Sequence, residues 1–279
     1  MNPIIANNRV AVITGAAKGI GAALAHKLSA RGMKLCLFDN DGAALADLAA
    51  TLKSECACVV GDVTSAADLT RLRDTAFQHF GETALLINNA AISAGAGPWG
   101  DVAAWRRQLE VNFFAVLQAQ ALFVPSMLAQ QGQSAVVNLG SKEGITTPPG
   151  NAAYSVAKAG VKVLTEQLAH ELRQCAGDKI SAHLLVPGYT WTPMNFPGQD
   201  LSNPANKPDE PWMAAQVADY FVERFEQGDF YILCPDNAVS TALDAKRIQW
   251  AADDMIHNRP ALSRWHQDYQ DRFARYIGE

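Results

Sequence analysis

Val10-Ala11-Val12-Ile13-Thr14-Gly15-Ala16-Ala17-Lys18-Gly19-Ile20-Gly21 is the stretch that decides the fold. Its first four residues form a short apolar, β-branched run, the pattern of a buried strand. The glycines Gly15, Gly19 and Gly21 stand at positions 1, 5 and 7 of the turn that follows, and an amphipathic stretch covers 22–31. Strand, glycine-rich turn and helix, in that order, let the backbone approach a pyrophosphate closely. The helix start then offers free N–H groups and a positive dipole end. A tight βα turn without a ligand is the competing reading, and the flanking strand and helix weigh against it.

A second apolar strand, Lys34-Leu35-Cys36-Leu37-Phe38, ends at Asp39, 18 residues after Gly21. A carboxylate there accepts hydrogen bonds from adenosine ribose hydroxyls and repels a 2′-phosphate, which favours NAD over NADP. Lys18 pulls weakly the other way, because its charge would suit that phosphate. Taken alone, Asp39 also fits a turn or cap before Asn40-Asp41-Gly42.

Tyr154-Ser155-Val156-Ala157-Lys158 places a phenol and an ammonium four residues apart, on one face of an expected helix. A phenol ordinarily titrates near about 10. A fixed cation beside it favours the phenolate and makes tyrosine a usable general acid and base. Ser155 reads as a small packing residue, and Lys162, one turn past Lys158, as solvent- or subunit-facing.

With these pieces, residues 10–194 resemble the short-chain dehydrogenase/reductase family. Gly61-Asp62-Val63 follows a third apolar strand, where the family contacts adenine. Leu85-Leu86-Ile87-Asn88-Asn89-Ala90-Ala91 resembles its fourth strand and Asn-Asn-Ala-Gly turn. Asn112 falls where the family keeps an active-site asparagine. Val136-Val137-Asn138-Leu139-Gly140-Ser141 resembles the fifth strand leading to the catalytic serine, which precedes Tyr154 by 13 residues. Pro187-Gly188, with Thr190 and Thr192, resembles the turn at the nicotinamide end of the cofactor. Two positions depart from the pattern: Ala91 replaces a glycine, and Gly140 stands where a serine often precedes the catalytic one.

The resemblance implies hydride transfer between nicotinamide C4 and a carbon bearing oxygen, with Tyr154 exchanging the proton. Lys158 would hold the nicotinamide ribose and lower the Tyr154 pKa, while Ser141 orients the substrate oxygen. Asn112 would carry a water-linked proton path from Lys158. Cofactor contacts are implied for Gly15, Lys18, Gly19, Ile20, Gly21, Asp39, Asp62, Val63, Asn89, Ala90, Tyr154, Lys158, Pro187, Gly188, Thr190 and Thr192. The family also implies a homodimer or homotetramer. Rival readings are an NADP-dependent carbonyl reductase, a nucleotide-sensing regulator without turnover, and an epimerase or dehydratase that uses its cofactor transiently.

The composition agrees. At 279 residues and 49% hydrophobic content, the chain is expected to bury one large core as a single α/β domain over 1–279. Apolar strands alternating with helical patterns call for a doubly wound parallel sheet in three layers, with strands buried on both faces. A net charge of −5 without a basic, aromatic-interleaved patch argues against a nucleic-acid surface. Neither a leader-like start nor a segment long enough to span a bilayer is read. The five scattered cysteines and six histidines show no metal-ligand spacing. A reduced, cytoplasmic setting without a metal is the expectation.

Substrate recognition is expected from the less regular part. Five prolines between 193 and 211 disfavour a long helix, so about 189–211 reads as an irregular substrate-covering loop. Trp191, Met194 and Phe196, with Trp99, would line it as an apolar lid for a hydrophobic or aryl-bearing secondary alcohol or ketone; packing the loop onto the body is the equal alternative. Lys142 and Glu143 read as solvated loop charges. Beyond the loop, 212–227 reads as helix, 230–233 as the last strand and 244–258 as helix. The extension from about 235 to 279 ends in an expected amphipathic helix with Trp265, Tyr269, Phe273 and Tyr276 as its buried stripe.

Overall fold

Side chains along the central strands sort by parity, because successive residues of a strand point to opposite faces of the sheet. In β1 (Val10–Thr14), Ala11 and Ile13 enter one core and Val12 the other. Likewise in β2 (Lys34–Asp39), Leu35 and Leu37 part from Cys36 and Phe38. The computed structural model describes residues 3–201 and 203–278. After β1 and β2 come β3 (Cys56–Val60), β4 (Leu85–Asn88), β5 (Ser134–Leu139) and β6 (Ile180–Val186), each preceded by a helical crossover. These are α1 (Gly19–Ala30), α2 (Gly42–Thr51), α3 (Ala66–Thr75), α4 (Val102–Leu109) continuing through a π turn into α5 (Ala115–Ala129), then α6 (Glu143–Thr146) and α7 (Ala152–Ala176).

Beyond β6 lie two short strands, β7 (Thr190–Trp191) and β8 (Trp212–Met213), then α8 (Ala214–Glu226), β9 (Tyr231–Leu233), α9 (Thr241–Ile256) and α10 (Gln270–Ile277). The seven long-sheet strands run parallel in the order β3-β2-β1-β4-β5-β6-β9. Both faces are covered, as an all-parallel sheet demands. One core carries Leu24 and Leu28 of α1 with Phe221 and Phe225 of α8; the other carries Leu72 of α3, Phe123 and Met127 of α5, and Leu172 of α7. Each such fully buried side chain contributes roughly 1.5–3 kcal/mol. This is the doubly wound, Rossmann-like architecture expected.

Four expectations change. The segment from 212 starts as a strand, since Trp212 and Met213 pair with Thr190 and Trp191 and staple the two ends of the loop together. Helix α9 starts at Thr241, earlier than expected, because Ser240 accepts the Leu243 amide and caps it. The tail is two 3-10 turns and the short α10, and of its aromatic stripe only Phe273 is buried. Finally, 102–129 forms one unbroken run long and apolar enough, by length and composition, to cross a membrane. Here it flanks the sheet, with Val116, Ala119, Phe123 and Met127 turned into the protein.

Candidate active site

Strand order reverses between β1 and β4, and a cleft of about 790 Å³ opens beyond their carboxyl ends. That switch point is where open α/β sheets bind ligands. The glycine turn lines it through Gly15, Lys18, Gly19 and Ile20. Gly15 and Gly19 have φ of +63° and +57°. A Cβ on Gly15 would lie 2.7 Å from Ala90 Cα, and one on Gly21 only 2.1 Å from the Gly15 carbonyl oxygen. Asn89 holds the turn in place: its Nδ2 donates to the carbonyls of Thr14 at 3.0 Å and Gly15 at 2.7 Å. The amides of Asn89 and Ala90 donate in turn to Thr14 Oγ1. Helix α1 starts after Lys18 without a side-chain cap, so its first amides are free to meet an anion. A side-chain-free cradle at an uncapped helix start fits a dinucleotide's pyrophosphate.

Asp39 lines the cleft. Its Oδ2 accepts from the Ala17 amide at 2.9 Å and its Oδ1 from Asp41 N at 3.0 Å. Capping of α2 falls to Asp41, which accepts from Ala44 N. Lys18 Nζ pairs with Asp41 at 2.6 Å, and that hydrogen bond raises the lysine pKa and lowers the aspartate's. Ile20, Asp62 and Val63 also line the cleft; the Asp62 carboxylate holds Thr64 through its amide and hydroxyl. Ala91 is not among the non-glycine residues with positive φ, so its methyl meets no left-handed backbone there. At Gly140 a Cβ would lie 3.1 Å from Leu184, a tight fit for the serine it replaces.

The proton-handling candidates converge. Ser141 follows β5, and Tyr154 and Lys158 project from α7 into the same cleft. Burial pushes the Tyr154 phenol up to about 12; a hydrogen bond with Ser141 opposes this and the charge of Glu143 adds to it. Burial also brings the Lys158 ammonium down to about 8. Its Nζ donates to the Leu139 carbonyl at 2.8 Å and lies 5.7 Å from the Tyr154 ring centroid. The expected lowering of the Tyr154 pKa by Lys158 is thus not what the geometry gives. Desolvation sets the direction for both, and each shifts toward its neutral form.

Asn112 is fully buried in the π turn Glu110–Phe114. Its side chain both accepts from the Ile92 amide at 2.8 Å and donates to the Ile92 carbonyl at 2.9 Å. The side chain is therefore spent on holding the loop after β4. Asn138 organises a second buried network that the sequence does not announce, accepting from Asn88 and donating to Gln120 and Thr165. Ser155 is buried beside Tyr154, and Lys162 pairs with Glu166 at 2.8 Å.

Pro187, Gly188, Thr190 and Thr192 also line the cleft, with Thr192 beside Gly19. Asp236, which sequence reasoning missed, fixes this turn. Its Oδ2 accepts from Tyr189 N at 3.1 Å while its Oδ1 accepts from Ala238 and Val239. Of the two readings of the loop, Trp191 and Phe196 follow packing onto the body and Met194 follows the lid. Trp191 is buried and packs at a tilt against Phe196, ring centroids 4.2 Å apart, so the pair packs the loop. Trp99 is 93% exposed. Met194 does line the cleft, joined by Tyr189, Pro193 and Pro197.

Lys142 and Glu143 are not simply solvated. Lys142 Nζ lies 2.6 Å from Asp244 and 3.6 Å from Asp236, tying the serine loop to α9. Glu143 lines the cleft, and burial raises its carboxyl pKa.

A family profile described as short chain dehydrogenase matches residues 9–200. The chain belongs to the short-chain dehydrogenase/reductase family and is an oxidoreductase acting on hydroxyl groups. It is 37% identical over 192 residues to the cis-4-hydroxycyclohexanecarboxylate dehydrogenase of Sinomonas cyclohexanicum, covering 67% of this chain and 75% of that one. To 2-(S)-hydroxypropyl-CoM dehydrogenase 3 of Xanthobacter autotrophicus it is 34% identical over 223 residues, covering 78% and 84%. Among solved structures, a short-chain dehydrogenase/reductase from Burkholderia phymatum in complex with NAD superposes with a TM-score of 0.81. It shares 31% identity, and the match covers 93% of this chain and 97% of that one.

Proposed function

We propose that this enzyme is an NAD-dependent dehydrogenase of secondary alcohols with an apolar or aryl body, working with Ser141, Tyr154 and Lys158. The single observation that carries the reading is the convergence of these three side chains on the cleft that the glycine cradle also lines. Bound there, nicotinamide supplies the hydride acceptor. Ser141 orients the carbinol oxygen by hydrogen bonding, and Tyr154 Oη takes its proton as the phenolate, the form that the cationic nicotinamide of bound NAD and the Lys158 ammonium would favour over the neutral phenol of the empty site. Lys158, held by Leu139 O, positions the nicotinamide ribose. Asn112 acts through the backbone it holds at Ile92. Gly15, Lys18, Gly19, Ile20 and Gly21 would surround the pyrophosphate, with Asp39 on the adenosine ribose, Asp62 and Val63 at the adenine, and Asn89 and Ala90 beside the sugars. Pro187, Gly188, Thr190 and Thr192 would hold the nicotinamide end.

Asp39 supports NAD, as does the commitment of Lys18 to Asp41, which leaves that cation less suited to a 2′-phosphate. An NAD preference favours oxidation, since that pool is mostly oxidised. Met194, Tyr189 and Pro193 support an apolar substrate body, and the two relatives above are both named for hydroxy compounds. A homodimer or homotetramer and a cytoplasmic setting complete the reading, the latter in keeping with five free thiols.

The test is nicotinamide absorbance with a panel of secondary alcohols and ketones, both cofactors and both directions. NAD-linked oxidation of aryl alcohols, falling at least about 100-fold in Tyr154→Phe, is expected. Near wild-type turnover in that variant would defeat the mechanism, and tighter binding of NADP than NAD would overturn the cofactor choice.

A further inference from the structure

Glu143 is a carboxylate lining the cleft to which the proposed reaction gives no task. It follows Ser141 by two residues and lines the cleft with Ser141, Tyr154, Tyr189 and Met194. Its amide donates to Ser141 Oγ at 3.1 Å, which anchors it beside the hydroxyl that orients the carbinol oxygen. Its charge is felt by the Tyr154 phenol. The neighbouring cation does not answer it, because Lys142 points to Asp244 and Asp236. Glu143 Oε2 is enclosed and has no hydrogen-bond partner among the described residues, and burial raises its carboxyl pKa. An acceptor shut away from water without a donor is unfavourable, and such groups in clefts are the ones a ligand satisfies.

We propose that Glu143 reads a hydrogen-bond donor on the substrate, so that the pocket selects secondary alcohols bearing a hydroxyl or ammonium on the carbon next to the carbinol. The reach is set by the chain. The Glu143 amide nitrogen that donates to Ser141 Oγ is bonded to the Cα carrying the carboxylate side chain, so the donor it meets lies within one side chain's reach of the oxygen that Ser141 holds. The apolar walls at Tyr189 and Met194 take the rest of the molecule. The inference rests on the alcohol dehydrogenase reading above and adds a second recognised group to it.

Three matched alcohols test it: 1-phenylethanol, 1-phenyl-1,2-ethanediol and 2-amino-1-phenylethanol, each with NAD, in wild type, Glu143→Gln and Glu143→Leu. Turnover gives kcat/KM, and calorimetry on the NAD-loaded protein gives Kd. Wild type should favour the diol or the amino alcohol over 1-phenylethanol by about 10- to 100-fold, the range for a hydrogen bond to a charged group. Glu143→Leu should erase that preference in both readouts. Glu143→Gln separates the two donors: an amide still accepts from a hydroxyl, so a diol preference survives within a few-fold, while an ammonium preference is lost. Equal use of all three alcohols by wild type, or a preference that survives in Glu143→Leu, overturns the inference and leaves the dehydrogenase reading standing. Failure of all three to bind or turn over overturns both.

Discussion

Burial opposes the charged forms of both Tyr154 and Lys158. Desolvation raises the phenol to about 12 and lowers the ammonium to about 8. For Lys158 the depression from 10.5 to about 8 corresponds to about 3 kcal/mol at ~1.4 kcal/mol per unit. Between those pH values the unfolded chain binds more protons than the folded one. The penalty of the buried charge is therefore full below about pH 8 and is relieved as pH rises toward 10.5. Lys158→Met removes this titration. Its unfolding free energy relative to wild type should shift in favour of wild type by up to about 3 kcal/mol across that window. The orphaned Leu139 carbonyl adds a constant offset only. Denaturant titrations at closely spaced pH values check this, and a pH-independent gap would contradict it. At this scale the site is legible where spacing alone sets geometry, as for Tyr154 and Lys158 on one helix. Asp236 is illegible because it lies 47 residues from the amide it holds, and no local pattern marks a carboxylate that will meet a distant turn.

Among the elements, the serine loop and α9 depend on each other through Lys142 and Asp244, whose side chains are 21% and 7% exposed. Removing one partner of a buried pair leaves the other charge uncompensated. Asp244→Ala should cost about 3 kcal/mol, the low end for such a loss, because Asp236 remains 3.6 Å from Lys142. The same variant should lower kcat, since Lys142 adjoins Ser141. Thermal and denaturant unfolding with steady-state kinetics measure both, and a stability change under about 0.5 kcal/mol would contradict the tie. The extension otherwise closes around Trp250, which donates to Ser263 Oγ at 2.9 Å and packs on Phe273 and Tyr276. The amphipathic spacing of the tail aromatics was visible in the sequence. The partner they pack against was not, so the stripe read as one long helix where the chain folds as turns and a short helix. The loop at 189–211 shows the same limit: prolines mark its irregularity, yet nothing local tells an inward Trp191 from a lid residue.

For the whole molecule, the parity of apolar strands and the glycine turn made the doubly wound sheet readable, because each strand must be buried on both faces. What the pattern did not separate is packing within the chain from packing between chains. Val156 and Val163 are exposed two turns apart on α7, and Phe114 and Leu117 are exposed at the start of α5. These apolar side chains support the proposed self-association, and the mass in solution should be two or four times the 30.0 kDa chain. Light scattering reads this directly. Val163→Asp should shift the mass downward, and a monomeric wild type would contradict the proposal.

Isotope transfer follows the hydride itself and so reports on Tyr154 as the proton acceptor. An aryl secondary alcohol, plain or carrying the adjacent donor, is deuterated at the carbinol carbon and incubated with NAD and the enzyme. The nicotinamide ring should acquire the label with wild type. Tyr154→Phe should bind NAD within a few-fold of wild type and transfer at least about 100-fold less label. Label transfer undiminished in Tyr154→Phe, or none from wild type despite tight NAD binding, would contradict the account.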